Sequence, residues 1–252
     1  MKILTLNLRN NADRWNERFP LVVREIQTEL PDIIAFQEVS LAIDQANMIK
    51  DALNPQLKEN LYQSHTVRGW GLEESLGESI LTRYPQIDYE ETRLPEGGRV
   101  AQLLSVYDGA SPWSIVNTHL HHLPKDNEVI RFPQIRFLID WMSKFQKGKS
   151  AQILLGDMNA TPKSKTIEYI LRSFSSAYSS CHGQEPELTF PTPLVQVNDE
   201  WNSPRTIDYI FFSSSTIKLQ ESHLAFASSH PDDQTLFPSD HYGIVATMSS
   251  KT

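Results

Sequence analysis

The sequence predicts an α/β or α+β fold that combines two β-sheets with helices. Short apolar runs of strand length, rich in β-branched and aromatic residues, recur from one end of the 252-residue chain to the other. Helix-like segments separate these runs early in the chain, whereas residues 74–120 and 188–248 read as successive strands joined by loops. A chain that interleaves its elements and then runs strand after strand indicates a mixed architecture with two sheets.

Eight runs have the length and composition of strands, and most are too short for helices. They are residues 2–8, 32–39, 79–84, 101–107, 113–120, 152–157, 206–212 and 242–248.

Four segments between these strands have helical character, namely residues 16–30, 41–54, 127–146 and 163–172. The third is the clearest, because Ile130, Phe137, Leu138 and Trp141 are spaced so that they share one face. Pro162 precedes the fourth segment and suits the entry to a helix.

Residues 173–205 are rich in serine, proline and polar residues and predict a long excursion from the regular elements. Long loops of this kind are more often functional than idle. No linker divides the chain, so we expect residues 1–252 to form a single domain.

Composition excludes several classes of protein. Hydrophobic residues make up 39% and charged residues 21% of the chain, which is typical of folded globular proteins. No apolar run approaches the roughly 20 residues of a membrane span, and the N-terminus does not resemble a signal peptide. We therefore expect a mature protein that begins at residue 1. The single cysteine, Cys181, excludes an internal disulfide framework and favours a cytoplasmic location.

The net charge of −8 opposes tight non-specific binding to nucleic acid, which depends on Lys and Arg neutralising phosphates. It does not exclude a nuclease, because a bound divalent cation reverses the sign of a carboxylate-lined site.

Polar residues occur repeatedly where the predicted strands begin or end. Each one has a simple structural explanation as a turn or cap residue, but their shared position at the strand ends points to a site, since ligands bind where strand ends converge. These residues are Asn7, Gln37, Glu38, His119, Asp157, Asn159, Asp208, Asp240 and His241.

The chemistry of this set narrows its role. Carboxylates and carboxamides without cysteine are hard oxygen ligands, which suit Mg²⁺ or Mn²⁺ better than zinc. Histidines can donate hydrogen bonds to a phosphoryl oxygen or exchange protons near neutral pH. The combination fits metal-assisted hydrolysis of a phosphate ester by in-line attack of water.

Seven motifs in order resemble those of the endonuclease/exonuclease/phosphatase (deoxyribonuclease I-like) superfamily across nearly the whole chain. They are LNL at 6–8, FQEV at 36–39, SILTRYP at 79–85, NTHL at 117–120, LLGDMNATP at 154–162, TIDYIF at 206–211 and PSDHYGIVA at 238–246. The resemblance implies a four-layer sandwich, with two mixed β-sheets packed face to face and helices on both outer sides. It also implies a phosphoester hydrolase that uses Mg²⁺, or Mn²⁺ in its place.

Carried over residue by residue, the resemblance implies a metal site at Glu38, with Asn7 and Asp240 near the metal or its water shell. Asp157 is similar to the residue that orients or deprotonates the attacking water, and Asn159 to a donor to the phosphoryl oxygen.

The remaining roles concern the histidines and one arginine. Asp208 resembles the carboxylate that orients His241, and His119 the phosphate-contacting histidine of the nuclease and phosphodiesterase branches. Asn7 and Arg99 also fall where relatives contact phosphate, although Arg99 is equally compatible with a surface arginine. Arg9 stands where the abasic-site enzymes carry an acid, and those enzymes have Tyr at the position of His119, so we rank abasic-site repair lower.

The sequence disfavours two rival interpretations. THLHHLPKD at 118–126 begins like the HxHxDH zinc motif, but Leu123 and Pro124 occupy the places of its acid and third histidine. His121 and His122 are therefore interpreted as loop residues after a strand, with substrate contact left open. The second rival is a non-catalytic binding protein that keeps the fold, which the presence of every expected catalytic group disfavours.

The predicted activity is divalent-metal-dependent phosphoester hydrolysis, with a phosphodiester as the first choice of substrate. The alternative is a phosphatase acting on a small phosphorylated metabolite or lipid headgroup. Nucleic acid, nucleotide, lipid headgroup and sugar phosphate all remain open as substrates, and we predict no obligate protein partner.

Overall fold

The computed structural model describes residues 1–123, 128–145, 151–197 and 202–251. They contain twelve strands, five α-helices and two short 3-10 helices, Asn54–Gln56 and Gly71–Glu73. The strands form two six-stranded sheets. Sheet 1 has the order β11-β12-β1-β2-β4-β3, and its strands are β1 (Lys2–Asn7), β2 (Ile33–Ser40), β3 (Gln63–Arg68), β4 (Leu76–Thr82), β11 (Ile217–Ala225) and β12 (Gly243–Ser250). Sheet 2 has the order β5-β6-β7-β8-β10-β9, and its strands are β5 (Gln86–Arg93), β6 (Val100–Tyr107), β7 (Pro112–His119), β8 (Ala151–Asp157), β9 (Ser175–Ser176) and β10 (Asp208–Phe212).

Both sheets are mixed. In sheet 1, β1 runs parallel to β2 and antiparallel to β12. In sheet 2, β7 runs parallel to β8, which is antiparallel to β10. Each parallel pair is joined through a helix, as parallel pairing requires.

The helices cover the outer faces of the sheets. Helix α1 (Trp15–Glu29) and helix α2 (Gln45–Leu53) pack on sheet 1, where Val22 and Ile49 join a core with Phe36. Helix α3 (Glu128–Ser143) and helix α4 (Lys165–Ile170) pack on sheet 2, where Leu138 and Ile167 join a second core. A third core fills the space between the sheets. The predicted four-layer sandwich is confirmed.

All eight predicted strands are present with shifted ends, but the structure adds four that the sequence analysis missed. These are β3, β5, β9 and β11, and they are the four edge strands of the two sheets. Edge strands carry polar and charged residues on both faces, as in QSHTVR of β3 and QIDYEETR of β5, so they lack the apolar run used to find the others.

The predicted helices also differ at their ends, and one was missed. Helix α2 begins at Gln45 rather than at residue 41. The excursion predicted at 173–205 contains β9 and the short helix α5 (Ala177–His182), which starts at the N-cap Ser176 and ends at Gly183. Trp113 and Trp141 are buried, whereas Trp201 lies outside the described residues. Among the helices described, none is long and apolar enough to cross a membrane.

Side chains between the sheets change character along each strand. Successive inward-facing residues lie two apart, and they run from the apolar Ile33 and Ala35 to Gln37 on β2. On β7 they run from Ile115 to Asn117 and His119. The space between the sheets is therefore apolar at one end and polar at the other.

The polar end is held together by hydrogen bonds that cross from one sheet to the other. Asn117 Nδ2 donates to the carbonyl oxygens of Phe36 and Ser79 at 2.9 and 3.1 Å. Gln37 Nε2 donates to Asn117 Oδ1 at 2.8 Å and to Thr5 Oγ1 at 3.1 Å. Asn117 is fully buried, so these bonds replace water for every polar group involved.

Asn117→Ala is expected to lower the free energy of unfolding by about 2–4 kcal/mol, because it leaves several buried groups without partners at roughly 1–3 kcal/mol each. Urea unfolding followed by circular dichroism measures this change. Asn16→Ala removes an exposed asparagine of α1 and should stay within about 0.5 kcal/mol of the wild type. Equal stability for both variants would contradict the structural role of Asn117.

Candidate active site

Three candidate residues form one row across sheet 2. His119 pairs with Asp157 in the parallel β7–β8 ladder, and Asp208 pairs with Asp157 in the antiparallel β8–β10 ladder. Opposed residues in a sheet present their side chains on the same face, so all three point between the sheets. Gly156 permits this close pairing, because a Cβ at its backbone would lie 2.0 Å from the carbonyl oxygen of Thr118.

Glu38 enters the site through an irregularity in β2. The β2–β4 register shifts between Phe36 and Val39, which inserts one extra residue opposite β4, and Glu38 itself has a positive φ of 52°. Such bulges redirect a side chain out of the regular alternation. The pKa of Glu38 is raised by burial and next by the negative charge of Asp240.

Asp240 and His241 lie in a turn that is fastened to the end of β1. Ser239 Oγ donates to the carbonyl oxygen of Asn7 at 2.6 Å. The buried guanidinium of Arg18 donates to the carbonyl oxygens of Leu8 and Pro238, both at 3.0 Å. These bonds bring residues separated by more than two hundred positions into one site.

Arg18 was missed by the sequence analysis, although the sequence contains a signal for it. It lies on helix α1 at the spacing of Trp15 and Val22, both of which face the core. A basic residue on the apolar stripe of a helix must find buried acceptors, and here they are the backbone carbonyls that hold the site.

His241 forms an ion pair with Asp208. His241 Nδ1 lies 2.9 Å from Asp208 Oδ2, which also accepts from Thr189 Oγ1 at 2.6 Å. Burial disfavours the charged ring, but Asp208 and then Asp240 outweigh it and raise the pKa of His241 to about 10. Thr189 belongs to the excursion at 173–205 and was not identified from the sequence.

Asp157 occupies the centre of the arrangement. Its Oδ2 accepts from Asn7 Nδ2 at 3.1 Å and lies 3.4 Å from His119 Nε2 and 4.0 Å from His241 Nε2. Its Oδ1 accepts from the backbone N–H of Asn159 at 2.8 Å. Burial, followed by the charge of Asp208, raises the pKa of Asp157, as is suitable for a general base near neutral pH.

His119 has a different environment from His241. Its Nδ1 lies 2.9 Å from Arg99 Nη1, and its Nε2 lies 2.9 Å from Asn159 Nδ2. Burial, and then the positive charge of Arg99, hold the pKa of His119 well below its usual range. The two histidines near Asp157 thus have opposite tendencies, His119 to be neutral and His241 to be charged.

These groups surround a pocket of about 300 Å³. Seven predicted site residues line it, namely Glu38, Arg99, His119, Asp157, Asn159, Asp240 and His241. Asn7 and Asp208 lie directly behind it through their bonds to Asp157 and His241. The structure therefore brings all nine together. It adds Arg9, Glu73, His122, Phe190, Arg205 and Ile207 to the lining.

Arg9 occupies the position at which the abasic-site enzymes carry an acid. Its guanidinium pairs with Asp240 Oδ2 and with Asp13, so the position that is acidic in the abasic-site branch contributes a positive charge here. Asp240 Oδ1 accepts from Ser239 Oγ at 3.3 Å. Asp240 is thus held by Arg9 through Oδ2, whereas Oδ1 only shares the single hydroxyl hydrogen that Ser239 also donates to Asn7.

The donor set fits a hard divalent cation. Glu38 accepts a long hydrogen bond of 3.5 Å from Asn10 Nδ2 and a second bond from the side chain of Asn7. Burial and next the charge of Asp240 raise its pKa, and a bound cation relieves charge crowding of this kind. Asp157, Asp208 and His241 form a second cluster whose ligand atoms lie within 4.8 Å of one another. Glu38 could hold the ion with fewer bonds to break, because in the second cluster His241 Nδ1 is already engaged with Asp208 Oδ2 at 2.9 Å.

Comparison with solved structures supports the fold. The catalytic domain of human Nocturnin, solved with a bound sulfate anion, is 22% identical, with a TM-score of 0.79 over 100% of this chain and 93% of that one. The mannosyl-6-phosphatase Bt3783 of Bacteroides thetaiotaomicron is 19% identical, with a TM-score of 0.78 and 99% of each chain covered. TDP2 of Caenorhabditis elegans is 18% identical, with a TM-score of 0.78 over 100% of this chain and 74% of that one.

A search of curated protein sequences finds no significant match. The profile of the Endonuclease/Exonuclease/phosphatase family, in contrast, matches residues 4–241, which include every residue of the site described above. The chain belongs to the Endonuclease/Exonuclease/phosphatase family.

Proposed function

We propose that this protein is a divalent-metal-dependent phosphoester hydrolase that acts by in-line attack of an activated water. The observation that supports it best is the position of Asp157. This buried carboxylate has a raised pKa and is flanked by His119 and His241 at the wall of a pocket that also contains Glu38. A general base, proton-bearing donors and a metal-binding carboxylate thus share one small volume.

Glu38 would hold the metal, with Asn7 and Asp240 beside it or its water shell. The bound ion, Mg²⁺ or alternatively Mn²⁺, would polarise the phosphoryl group and offset its negative charge. Glu38 is suited to this role because its side chain faces the pocket and makes few other bonds.

Asp157 would orient the attacking water and accept its proton. Hydrogen bonds from Asn7 and from the backbone of Asn159 fix the orientation of the carboxylate. As the bond from water to phosphorus forms and the bond to the leaving oxygen breaks, negative charge builds on the phosphoryl oxygens. His241, held charged by Asp208, and the donors on His119 and Asn159 would meet that charge.

Phosphodiesters are our first choice of substrate, because the resemblance places a histidine at position 119 in the nuclease and phosphodiesterase branches. The pocket offers an observation for the alternative. Arg9, Arg99 and Arg205 all line it, and a guanidinium can bind two oxygens of a phosphomonoester dianion at once. A phosphatase among the similar structures agrees with this second candidate. The cytoplasmic location and the single domain remain predictions.

Hydrolysis of bis-p-nitrophenyl phosphate should require Mg²⁺ or Mn²⁺ and should stop on addition of EDTA. Release of p-nitrophenol measures it, and p-nitrophenyl phosphate assayed in parallel distinguishes a diesterase from a monoesterase. Activity that is indifferent to chelation would refute the metal-dependent mechanism.

Asp157→Ala and His241→Ala are each expected to lower kcat by about 10²–10³, the usual cost of losing one electrostatic or proton-transfer group. Arg136→Ala, which alters an exposed residue of α3, is the control and should retain wild-type turnover. Wild-type rates in both active-site variants would end this assignment of roles.

The ring of His241 should stay protonated through neutral pH in the metal-free protein and titrate near pH 10. Asp208→Asn should lower that pKa, because burial alone favours the neutral ring. A raised pKa contributes stability that is complete below about pH 6.5 and is lost as pH rises through about 10. Relative to the wild type, Asp208→Asn should therefore lose most stability below about pH 6.5 and least near pH 10.

Proton NMR of the histidine rings measures the titration, and unfolding in urea across this pH range measures the linked stability. Asp232→Asn removes an exposed carboxylate and should leave both unchanged. A wild-type His241 that titrates near its ordinary pKa would contradict the ion pair with Asp208.

A further inference from the structure

Arg99 makes an unusual pair of contacts with two histidines. Its Nη1 lies 2.9 Å from His119 Nδ1, and its Nη2 lies 3.2 Å from His122 Nδ1. The guanidinium is buried, with Arg99 only 5% exposed. Both histidines also line the pocket, so one arginine connects two imidazole rings on the same wall.

The chemistry of the guanidinium decides where each ring carries its proton. Arginine stays protonated and has no acceptor, so each Nδ1 that it contacts must be the unprotonated, accepting nitrogen. A neutral imidazole has one N–H, which then lies on Nε2 in both rings. His122 is exposed as a whole residue, but partial burial and next the charge of Arg99 lower its pKa to about 4, which agrees with a neutral ring.

The contact between His119 and Asn159 then becomes informative. Asn159 Nδ2 donates to the carbonyl oxygen of Leu120 at 3.0 Å and lies 2.9 Å from His119 Nε2. With the proton of His119 on Nε2, the ring N–H and the amide N–H of Asn159 are two donors in contact. Rotating the Asn159 carboxamide does not remove the conflict, because its oxygen would then face the carbonyl oxygen of Leu120. The Nε2–H of His119 already has one acceptor nearby, Asp157 Oδ2 at 3.4 Å. An oxygen of a bound oxyanion would be an acceptor that His119 and Asn159 share.

The main chain around Arg99 is built to hold the guanidinium in place. Trp70 Nε1 donates to the carbonyl oxygen of Arg99 at 3.1 Å, and the Trp70 backbone N–H donates to Gly98 at 3.0 Å. Gly97 and Gly98 have φ of 65° and 72°. A Cβ on Gly97 would lie 2.6 Å from the His121 ring, and a Cβ on Gly98 would lie 2.5 Å from the Trp70 carbonyl oxygen. Trp70 therefore packs against the loop that carries Arg99.

We propose that Arg99 is a positioning residue that fixes His119 and His122 as neutral Nε2–H donors, and that His122 is a second imidazole donor to the substrate. This inference rests on the proposed function for the identity of the ligand, a tetrahedral oxyanion with at least two free oxygens. His119 and Asn159 serve one oxygen, and His122 serves another oxygen of the phosphoryl group or its substituent. Arg99 contributes through the two rings it orients.

The direct test is nitrogen NMR of the histidine rings in protein carrying ¹⁵N-labelled histidine. His119→Gln and His122→Gln identify the two sets of signals. In the wild type at neutral pH, both rings should carry the proton on Nε2 and none on Nδ1. A proton on Nδ1 of either ring would overturn the proposal without any need for a variant of Arg99.

Arg99→Gln should release at least one ring into a mixture of tautomers or into the charged form, while Arg99→Lys, with a single ammonium, should retain at most one fixed ring. Arg136→Gln makes the same change on the exposed face of α3 and should alter neither ring. Circular dichroism verifies that each variant is folded. Unaltered rings in a folded Arg99→Gln protein would also overturn the proposal.

Kinetics distinguish an arginine that acts through histidine from one that binds phosphate itself. With Mg²⁺ and bis-p-nitrophenyl phosphate, Arg99→Gln and His119→Gln should each lower kcat/KM by about 10²–10³, and the double variant should lose little more than either single one. His122→Gln should cost about tenfold. Losses that multiply would show an independent contact of Arg99 with the substrate.

The two experiments also separate this inference from the proposed function. A protein without hydrolase activity would refute the proposed function, yet its ring tautomers would still report on Arg99. Conversely, an active, metal-dependent enzyme with both rings protonated on Nδ1 would keep the proposed function and overturn this one.

Discussion

The site depends on the way the space between the two sheets changes from apolar to polar along the strands. Ile33, Ala35 and Gln37 on β2, and Ile153, Leu155 and Asp157 on β8, are successive inward-facing residues. Because both sheets make this change at the same end, their polar side chains face one another away from water. Buried polar groups must be paired, and the pairing found here crosses between the sheets through Gln37 and Asn117.

Above that layer, pairing is incomplete, and this incompleteness gives the site its chemistry. Glu38 and Asp157 are raised in pKa because burial and neighbouring carboxylates oppose their ionisation. Among the residues described by the structure, Asp208 Oδ1 is buried without a hydrogen-bond partner. Crowded carboxylates without full compensation favour the binding of a cation and the uptake of a proton.

His119 and His241 are both buried, but they have opposite pKa shifts because their charged neighbours have opposite signs. Asp208 raises the pKa of His241, whereas Arg99 adds to the burial that lowers the pKa of His119. Both rings lie within 4.0 Å of Asp157. One ring thus tends to be charged and the other neutral beside the same carboxylate, a separation of the kind that acid–base catalysis uses.

Much of this arrangement could be predicted from the sequence because it resides in the central strands. Apolar runs located β1, β2, β7, β8, β10 and β12, and polar residues at their ends identified the candidates that the structure brings together. The edge strands β3 and β5 could not be found in that way, since polar and charged residues on both of their faces leave no apolar run.

The supporting residues escaped prediction for a different reason. Arg18, Asn117 and Thr189 act through buried contacts with distant segments, and nothing within their own stretches of sequence specifies those partners. Helix periodicity puts Arg18 on the apolar face of α1, and this is the one sequence signal that it is buried. The pairing of Arg99 with two histidines likewise requires the loop at Gly97 and Gly98 to lie beside the end of β7.

The central claim is that the cation binds at Glu38 while Asp157, Asp208 and His241 handle the water and the phosphoryl group. The position of Mn²⁺, determined by its anomalous X-ray scattering in crystals of the protein, tests this claim most directly. Our account predicts the anomalous peak beside Glu38, with the Asp208–His241 ion pair intact. A peak enclosed by Asp157, Asp208 and His241 would contradict it.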